Sequence, residues 1–250
     1  TSTANAAFLL SRAIKKIYPN AVHVAGGAHI TLAYTESLLE NPEIEYCFLG
    51  EAERSFIEFV EKREKNLSVE DIPGIAFRKG TEVVTTKREY IEELDAIPFP
   101  GMDAIEGMSF KGFRYPMITS RGCPYPCTYC CVGVVSSKKW RARSPQNILD
   151  ELKRAKEKYG ITSFEILDVN FTLRIERAKE FCRLLITSKL NLSWYCHNGI
   201  RADKLDMELA LLMKEAGCTS VALGVESGDQ AIFDSIKKGE PLEAIVNAVK

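Results

Sequence analysis

The chain has 250 residues, 46% hydrophobic and 27% charged. That is an ordinary balance for one or two folded domains of about 150 residues each, and it excludes a disordered tail, a collagen-like fibre and a small disulfide scaffold. The formal charge of −1 gives no basic field for nucleic acid, and no apolar run approaches the roughly 18 residues of a membrane helix. Charge is nonetheless uneven. Residues 1–110 carry 11 basic against 18 acidic side chains, and residues 111–250 carry 22 against 16, which predicts two units with different partners.

Ala6, Leu9, Leu10, Ala13, Ile14 and Ile17 recur at helical spacing, and Pro19-Asn20 ends that pattern. AVHVAGG reads as a short buried parallel strand ending in Gly26-Gly27. A helix begins over residues 36–39, YCFLGEAE is a second buried strand running into Gly50, and residues 55–65 are amphipathic. This alternation predicts a doubly wound sheet. IPGIAFRKGTEVVTT adds a small hairpin around Lys79-Gly80. IEELDAIPFPGMD, with Pro98 and Pro100, has the composition of a linker, so the boundary is placed between units 1–100 and 101–250.

The second unit alternates more regularly. PMITSRG is a strand entering a cluster of cysteines. Ser144-Pro145 opens a helix, with the serine as N-cap and the proline in the first position, and the helix runs to Tyr159-Gly160. SFEILDV, LSWYCHNGI and TSVALGVES are strands, followed by helices over residues 174–188, 207–216 and 229–238. Four strand–helix repeats in about 130 residues give the rhythm of a parallel (β/α) barrel, whose chemistry sits at the carboxyl ends of its strands. Cys123, Asp168, Asn198 and Glu226 all fall at such ends. The expected α/β fold is a partial barrel preceded by an incomplete Rossmann-like domain. Helical patterns reach both ends of the sequence without start or stop signals, and we expect a piece of a longer chain.

Eight cysteines are present. Cys47, Cys182, Cys196 and Cys218 lie in apolar stretches and read as small buried hydrophobes. The other four stand in SRGCPYPCTYCC. Cys123, Cys127 and Cys130 are spaced C-x-x-x-C-x-x-C on a Gly/Pro-rich loop that can turn three thiolates to one side. A 4Fe–4S cluster held by three cysteines leaves one iron open to an outside ligand. Tetrahedral zinc calls for four ligands, commonly as paired Cys-x-x-Cys knuckles, and no second pair exists. Cys131, adjacent to Cys130, reads as a non-ligand. Zinc, a disulfide and plain structural cysteines remain the competing readings.

C-x-x-x-C-x-aromatic-C after a strand in a βα array resembles the radical S-adenosylmethionine enzymes, with Tyr129 at the aromatic position. The resemblance covers residues 115–250. It implies a 4Fe–4S cluster whose open iron chelates S-adenosylmethionine, reductive cleavage to a 5′-deoxyadenosyl radical, and hydrogen abstraction from a substrate; the cofactors carry the hard chemistry. LDVNFT, the RAD beginning at Arg201, and GVESG narrow it to the cobalamin-binding-domain subgroup, the magnesium-protoporphyrin monomethyl ester cyclase-like Fe–S oxidoreductases. By that resemblance Asp168 and Asn170 meet the cofactor's amino group, Glu226 holds its ribose or amino-acid end, and Arg201 takes its carboxylate. Val169 departs from the second acidic residue expected there. The plainer readings are that Asp168 caps the next helix and that Arg201 forms a surface ion pair. Lys138, Lys139, Trp140, Arg141 and Arg143 read as a solvated basic face or as a holder for an anion.

Residues 1–100 resemble the second half of a cobalamin-binding domain, through VAGGAHIT and FLGEAERSF, whose glycines allow close approach to the backbone. The Asp-x-His-x-x-Gly loop that would ligate cobalt is absent, so cobalamin is expected only in a full-length parent. His23 and His29 read as ordinary surface histidines. The expected activity is methyl transfer, cyclisation or rearrangement of a small-molecule or natural-product substrate. It would be anaerobic and cytoplasmic, with a flavodoxin or ferredoxin as electron donor and neither nucleic acid nor membrane as partner. The alternatives are a cobalamin-independent methylthiotransferase, an Fe–S electron carrier, and a scaffold with an inactive barrel.

Overall fold

The computed structural model describes residues 3–105, 107 and 112–250. The chain forms two compact units, Thr1–Ile91 with Val134–Ser136, and Glu92–Gly133 with Ser137–Lys250.

The first unit contains α1 (Ala4–Ile17), β1 (His23–Ala25), α2 (Ala28–Leu32), α3 (Tyr34–Glu40), β2 (Ile44–Phe48), α4 (Glu53–Glu64), β3 (Ile75–Lys79) and β4 (Glu82–Thr85). Its sheet has the order β1-β2-β3-β4. β1 and β2 are parallel, whereas β3 and β4 are antiparallel additions. The expected hairpin therefore extends the same sheet, which is mixed rather than doubly wound. The physical reason is the two-residue connection Gly80-Thr81 between the Lys79↔Glu82 pair, since parallel pairing would need a long crossover. β1 lies at the sheet edge, and Val24 is 37% exposed, so the strand expected to be buried is only partly covered. α2, which sequence patterning did not reveal, starts just after Gly27 at φ 93. Phe59 packs edge-on against Tyr46 and Phe48 at 5.0 and 5.4 Å, closing one face of this sheet.

The second unit contains β5 (Tyr115–Met117), β6 (Ser120–Arg121), β7 (Arg141–Ala142), α6 (Pro145–Tyr159), β8 (Ser163–Ile166) and α7 (Ile175–Ser188), and the short α5 (Val132–Val135) is divided between the two units at Gly133. The second unit continues with β9 (Ser193–Ile200), α8 (Met207–Glu215), β10 (Cys218–Leu223), α9 (Gln230–Ser235) and α10 (Leu242–Val249). Four strands in the order β10-β9-β8-β5 pair in parallel throughout, and among the described residues they form an open sheet, not a closed barrel. α6 begins as its sequence predicts. Ser144 Oγ accepts from the Asn147 amide at 3.1 Å, Pro145 follows, and Gly160 ends the helix in the left-handed conformation, φ 63 and ψ 30.

Alternation decides which side of the sheet is covered. Tyr115, Met117, Phe164, Ile166, Trp194 and Cys196 are buried in one cluster with residues of α6, α7 and α8. Pro116, Glu165, Tyr195 and His197 take the other face, which is open. Trp194 is the centre of the covered side. It stacks on Phe164 at 5.8 Å and 4° and meets the edges of Phe171 and Phe181 at 6.1 and 6.0 Å. Its Nε1 donates to the Ala216 carbonyl at 3.1 Å. Truncating a fully buried indole removes this packing and leaves a cavity, so Trp194→Ala is expected to lower unfolding free energy by about 3–5 kcal/mol. Urea denaturation checks this, and a loss below about 1 kcal/mol would contradict the packing described.

PMITSRG is not one strand. It breaks between β5 and β6, and β6 pairs antiparallel with β7 instead of joining the main sheet. The break is held by Asp168, to which both Thr119 and Ser120 turn.

Candidate cofactor site

The carboxyl ends of the parallel strands open on a cleft of about 430 Å³. Cys123, Cys127, Cys130, Tyr129, Asp168, Asn170, Arg201 and Glu226 all line it, although they span more than 100 residues of sequence.

The cysteine loop is fixed at its base. Gly122 has φ +81, and a Cβ there would lie 2.2 Å from the Lys139 carbonyl oxygen, so only glycine permits the entry. The Cys123 amide donates to the Ser137 carbonyl at 3.2 Å, and the Thr128 amide to the Ile236 carbonyl at 3.0 Å. Burial raises the pKa of the Cys127 thiol, and the nearby Cys123 and Cys130 sulfurs push it the same way. Three free cysteines on one loop line the same cleft, and cysteine sulfur is the donor that iron–sulfur clusters take. This donor set suits an iron–sulfur cluster. The other cysteines differ. Burial raises Cys47 and Cys182 to about 12 and Cys218 to about 11; the first two are fully buried and Cys218 is only partly so. Cys131 is exposed and does not line the cleft.

Asp168 is 1% exposed. Its Oδ1 accepts from the Thr119 amide at 2.6 Å, and its Oδ2 accepts from Thr119 Oγ1 and Ser120 Oγ at 2.5 and 2.6 Å. Burial raises its pKa while these donors oppose the rise. It binds the β5–β6 turn rather than capping α7. Asn170, also 1% exposed, has both side-chain amide atoms buried without a hydrogen-bond partner among the described residues. Buried polar groups are rarely left so, and an orphaned amide in a cleft wall fits a polar ligand.

Arg201 is not on the surface. It is 7% exposed, donates from Nε to Asp203 at 2.9 Å and from Nη1 to the Lys238 carbonyl at 2.7 Å, and stacks 3.6 Å from the Tyr125 ring centroid. Among the described residues its Nη2 has no hydrogen-bond partner, with Glu240 at 3.8 Å. Lys238 Nζ lies 2.9 Å from Glu240 and 3.4 Å from Glu226 and donates to the Gly224 carbonyl. Glu226 stands three residues beyond β10 at φ 63, a left-handed conformation rarely adopted outside glycine and often stored at functional sites. It is an exposed loop carboxylate, beyond the end of the strand over TSVALGVES that was expected to include it. Burial, with a hydrogen bond to Glu226, raises the pKa of the Tyr129 phenol.

Tyr125, Lys238 and Glu240 escaped the sequence reading. The Lys-Gly-Glu turn of residues 238–240, two charges around a glycine, is the one local signal that could have marked them. The basic stretch is corrected in the opposite sense. Arg141 is buried, Arg143 pairs with buried Glu151 at 2.5 Å, and Trp140 Nε1 donates to the Asn170 carbonyl at 2.9 Å. Only Lys138 and Lys139 remain a solvated face.

A three-cysteine loop above the carboxyl ends of a parallel sheet is matched by the profile of the Radical SAM superfamily over residues 117–250, and the chain belongs to that family. It is 31% identical over 254 residues to an uncharacterized methyltransferase of Pyrococcus horikoshii, covering 100% of this chain and 55% of the relative. It is also 28% identical over 240 residues to the anaerobic magnesium-protoporphyrin IX monomethyl ester cyclase of Cereibacter sphaeroides, covering 89% of this chain and 38% of the cyclase. In fold it resembles the cobalamin-dependent S-adenosylmethionine radical enzyme OxsB, solved with aqua-cobalamin and S-adenosylmethionine bound. The TM-score is 0.84 at 20% identity, over 99% of this chain and 37% of that one. The chain thus spans about half the length of these proteins, or less.

Proposed function

We propose that this chain is the radical core of a methyl-transferring or ring-cyclising enzyme, holding a 4Fe–4S cluster on Cys123, Cys127 and Cys130 with S-adenosylmethionine beside it. When bound, these groups would supply radical chemistry, the abstraction of a hydrogen atom from the substrate, while the chain's own residues hold and orient them. The observation that carries the reading is the meeting, in one cleft, of three free thiols and the orphaned Asn170 amide.

The protein's part is to bind and orient. The Asn170 amide offers a donor and an acceptor to the amino-acid end of the cofactor. Asp168 accepts three hydrogen bonds, leaving one of its roughly four lone-pair sites for the amino group. Arg201 Nη2, which makes no hydrogen bond among the described residues, is a donor for the carboxylate, and Glu226, with Tyr129 beside it, accepts from the ribose hydroxyls. Residues 1–100 form the cobalamin-type unit and residues 101–250 the radical unit; cobalamin belongs to a full-length parent. The substrate is a small molecule, the reductant a flavodoxin or ferredoxin, and the setting the cytoplasm. Among the described residues no helix is long and apolar enough to cross a membrane.

An electron carrier is the competing class, and it has no use for a cofactor cleft. Electron paramagnetic resonance on the anaerobically reconstituted, reduced chain separates the two. A cluster signal that shifts when S-adenosylmethionine is added is the expected result. A signal indifferent to saturating cofactor would sink the proposal.

A further inference from the structure

The open face of the second sheet carries a hydrogen-bonded row that cluster binding does not use. His197 of β9 lies between two neighbouring strands, with Nδ1 2.9 Å from Glu165 Oε1 on β8 and Nε2 3.0 Å from Ser220 Oγ on β10. Glu165 Oε2 is held by Arg114 Nη1 at 3.2 Å, and the Arg114 guanidinium lies 3.4 Å from the Tyr195 ring centroid. Register explains the assembly. Glu165 pairs with Tyr195, and Tyr195 with Ser220, so the three strands bring these side chains to one level, and His197 follows two residues on from Tyr195, on the same face. His197 also lines the cleft that contains the cysteines.

The order of groups is carboxylate, imidazole, hydroxyl. A carboxylate on Nδ1 selects the tautomer that carries its proton there, which leaves Nε2 as acceptor for the serine hydroxyl. Arg114 holds the carboxylate from the far side. A hydroxyl arranged in this way gives up its proton at lower cost, because the imidazolium that forms is stabilised by the carboxylate behind it. His197 is only partly covered and lines the cysteine cleft, whereas Ser220 lines a separate hollow with Met213 and Thr219, so the row connects the two and a substrate meeting Ser220 would stand in the space on the side of that hollow.

We propose that Glu165, His197 and Ser220 form a proton relay for a substrate carrying an acidic O–H or N–H, such as a phenol, an enol or a carboxylic acid. The substrate's proton passes to Ser220 Oγ as the serine proton passes to His197 Nε2. The products are the substrate anion and an imidazolium paired with Glu165; no electron is gained or lost. That a substrate occupies this space rests on the radical-enzyme reading. The chemistry of the row does not, and it is tested separately.

A fluorophosphonate reagent reports on the row directly, since it reacts with activated serine hydroxyls. The Oγ–P bond forms, fluoride leaves, and the serine proton goes to His197. The reagent is incubated with the cluster-loaded chain, and the modified residue is read by peptide mass spectrometry. Ser220 is expected to be labelled, about 100-fold more slowly in His197→Gln. Labelling should also slow about tenfold in Glu165→Gln, with partial recovery in Glu165→Asp, which restores the charge. An unlabelled Ser220 in the native chain, or equal rates in native and His197→Gln proteins, overturns the relay. Iron content of the same samples reports on the cluster separately, so loss of one reading is distinguishable from loss of the other.

Discussion

Cys127→Ala is expected to bring iron content after anaerobic reconstitution to background, while Cys131→Ala keeps it near the native level. The two side chains are four residues apart and each variant removes one thiol, so the comparison is between positions, not between numbers of thiols. Cys127 lines the cleft with Cys123 and Cys130, and its thiol is raised by burial and by those two sulfurs. Removing it leaves two of the three cysteine anchors that this reading gives the cluster. Cys131 is exposed and outside the cleft wall. Neither residue belongs to the hydrophobic cluster under the sheet, so both variants should unfold in urea within about 0.5 kcal/mol of the native apoprotein. Equal iron loss in the two variants would overturn the ligand assignment.

How much of this was legible in the sequence depended on the distance over which each signal acts. The α6 boundaries were legible because Ser144, Pro145 and Gly160 act on their own backbone. The order of strands β8, β9 and β10 was legible because each apolar run is followed by a helical period. The cysteine loop was legible because three cysteines within eight residues have a chemistry of their own. Arg201 was singled out, but its surroundings were not. Tyr125 comes from 76 residues before it and Lys238 from 37 residues after it, and no local pattern records such meetings. The same limit hid the Glu165–His197–Ser220 row, which exists only through the pairing of three strands. The mixed sheet of the first unit was missed for a different reason. A strand's apolar pattern tells which face is covered, not the direction of its neighbour.

Gly199→Ala is expected to damage fold and site together, and Gly160→Ala provides the measure against which to read it. Both glycines have positive φ, +78 and +63, but a Cβ at Gly160 would meet nothing within 4 Å. That substitution should cost only the left-handed backbone preference of about 1–2 kcal/mol. At Gly199 a Cβ would lie 2.7 Å from the Asp168 carbonyl oxygen and 2.9 Å from the Phe171 amide nitrogen. Both are backbone atoms and neither can swing aside. Gly199 sits where β9 bulges against β10, between the Cys196 and Ile200 pairs, and its carbonyl accepts from the Phe171 amide at 2.7 Å. That bond, with the bridge between Asn170 and Gly199, holds the turn that presents Asp168 and Asn170 to the cleft. Forcing the two segments apart adds roughly 1–3 kcal/mol of overpacking, for an expected total of about 2–5 kcal/mol in urea denaturation. It should also remove the change that S-adenosylmethionine makes in the cluster's paramagnetic signal, while iron content stays, because the cysteine loop is anchored elsewhere, at Ser137 and Ile236. Gly160→Ala should retain that change in full. If the two variants lose stability equally and both still respond to the cofactor, the Asp168–Asn170 turn does not position it, and the cofactor's contacts must be sought on the Arg201 and Glu226 side of the cleft.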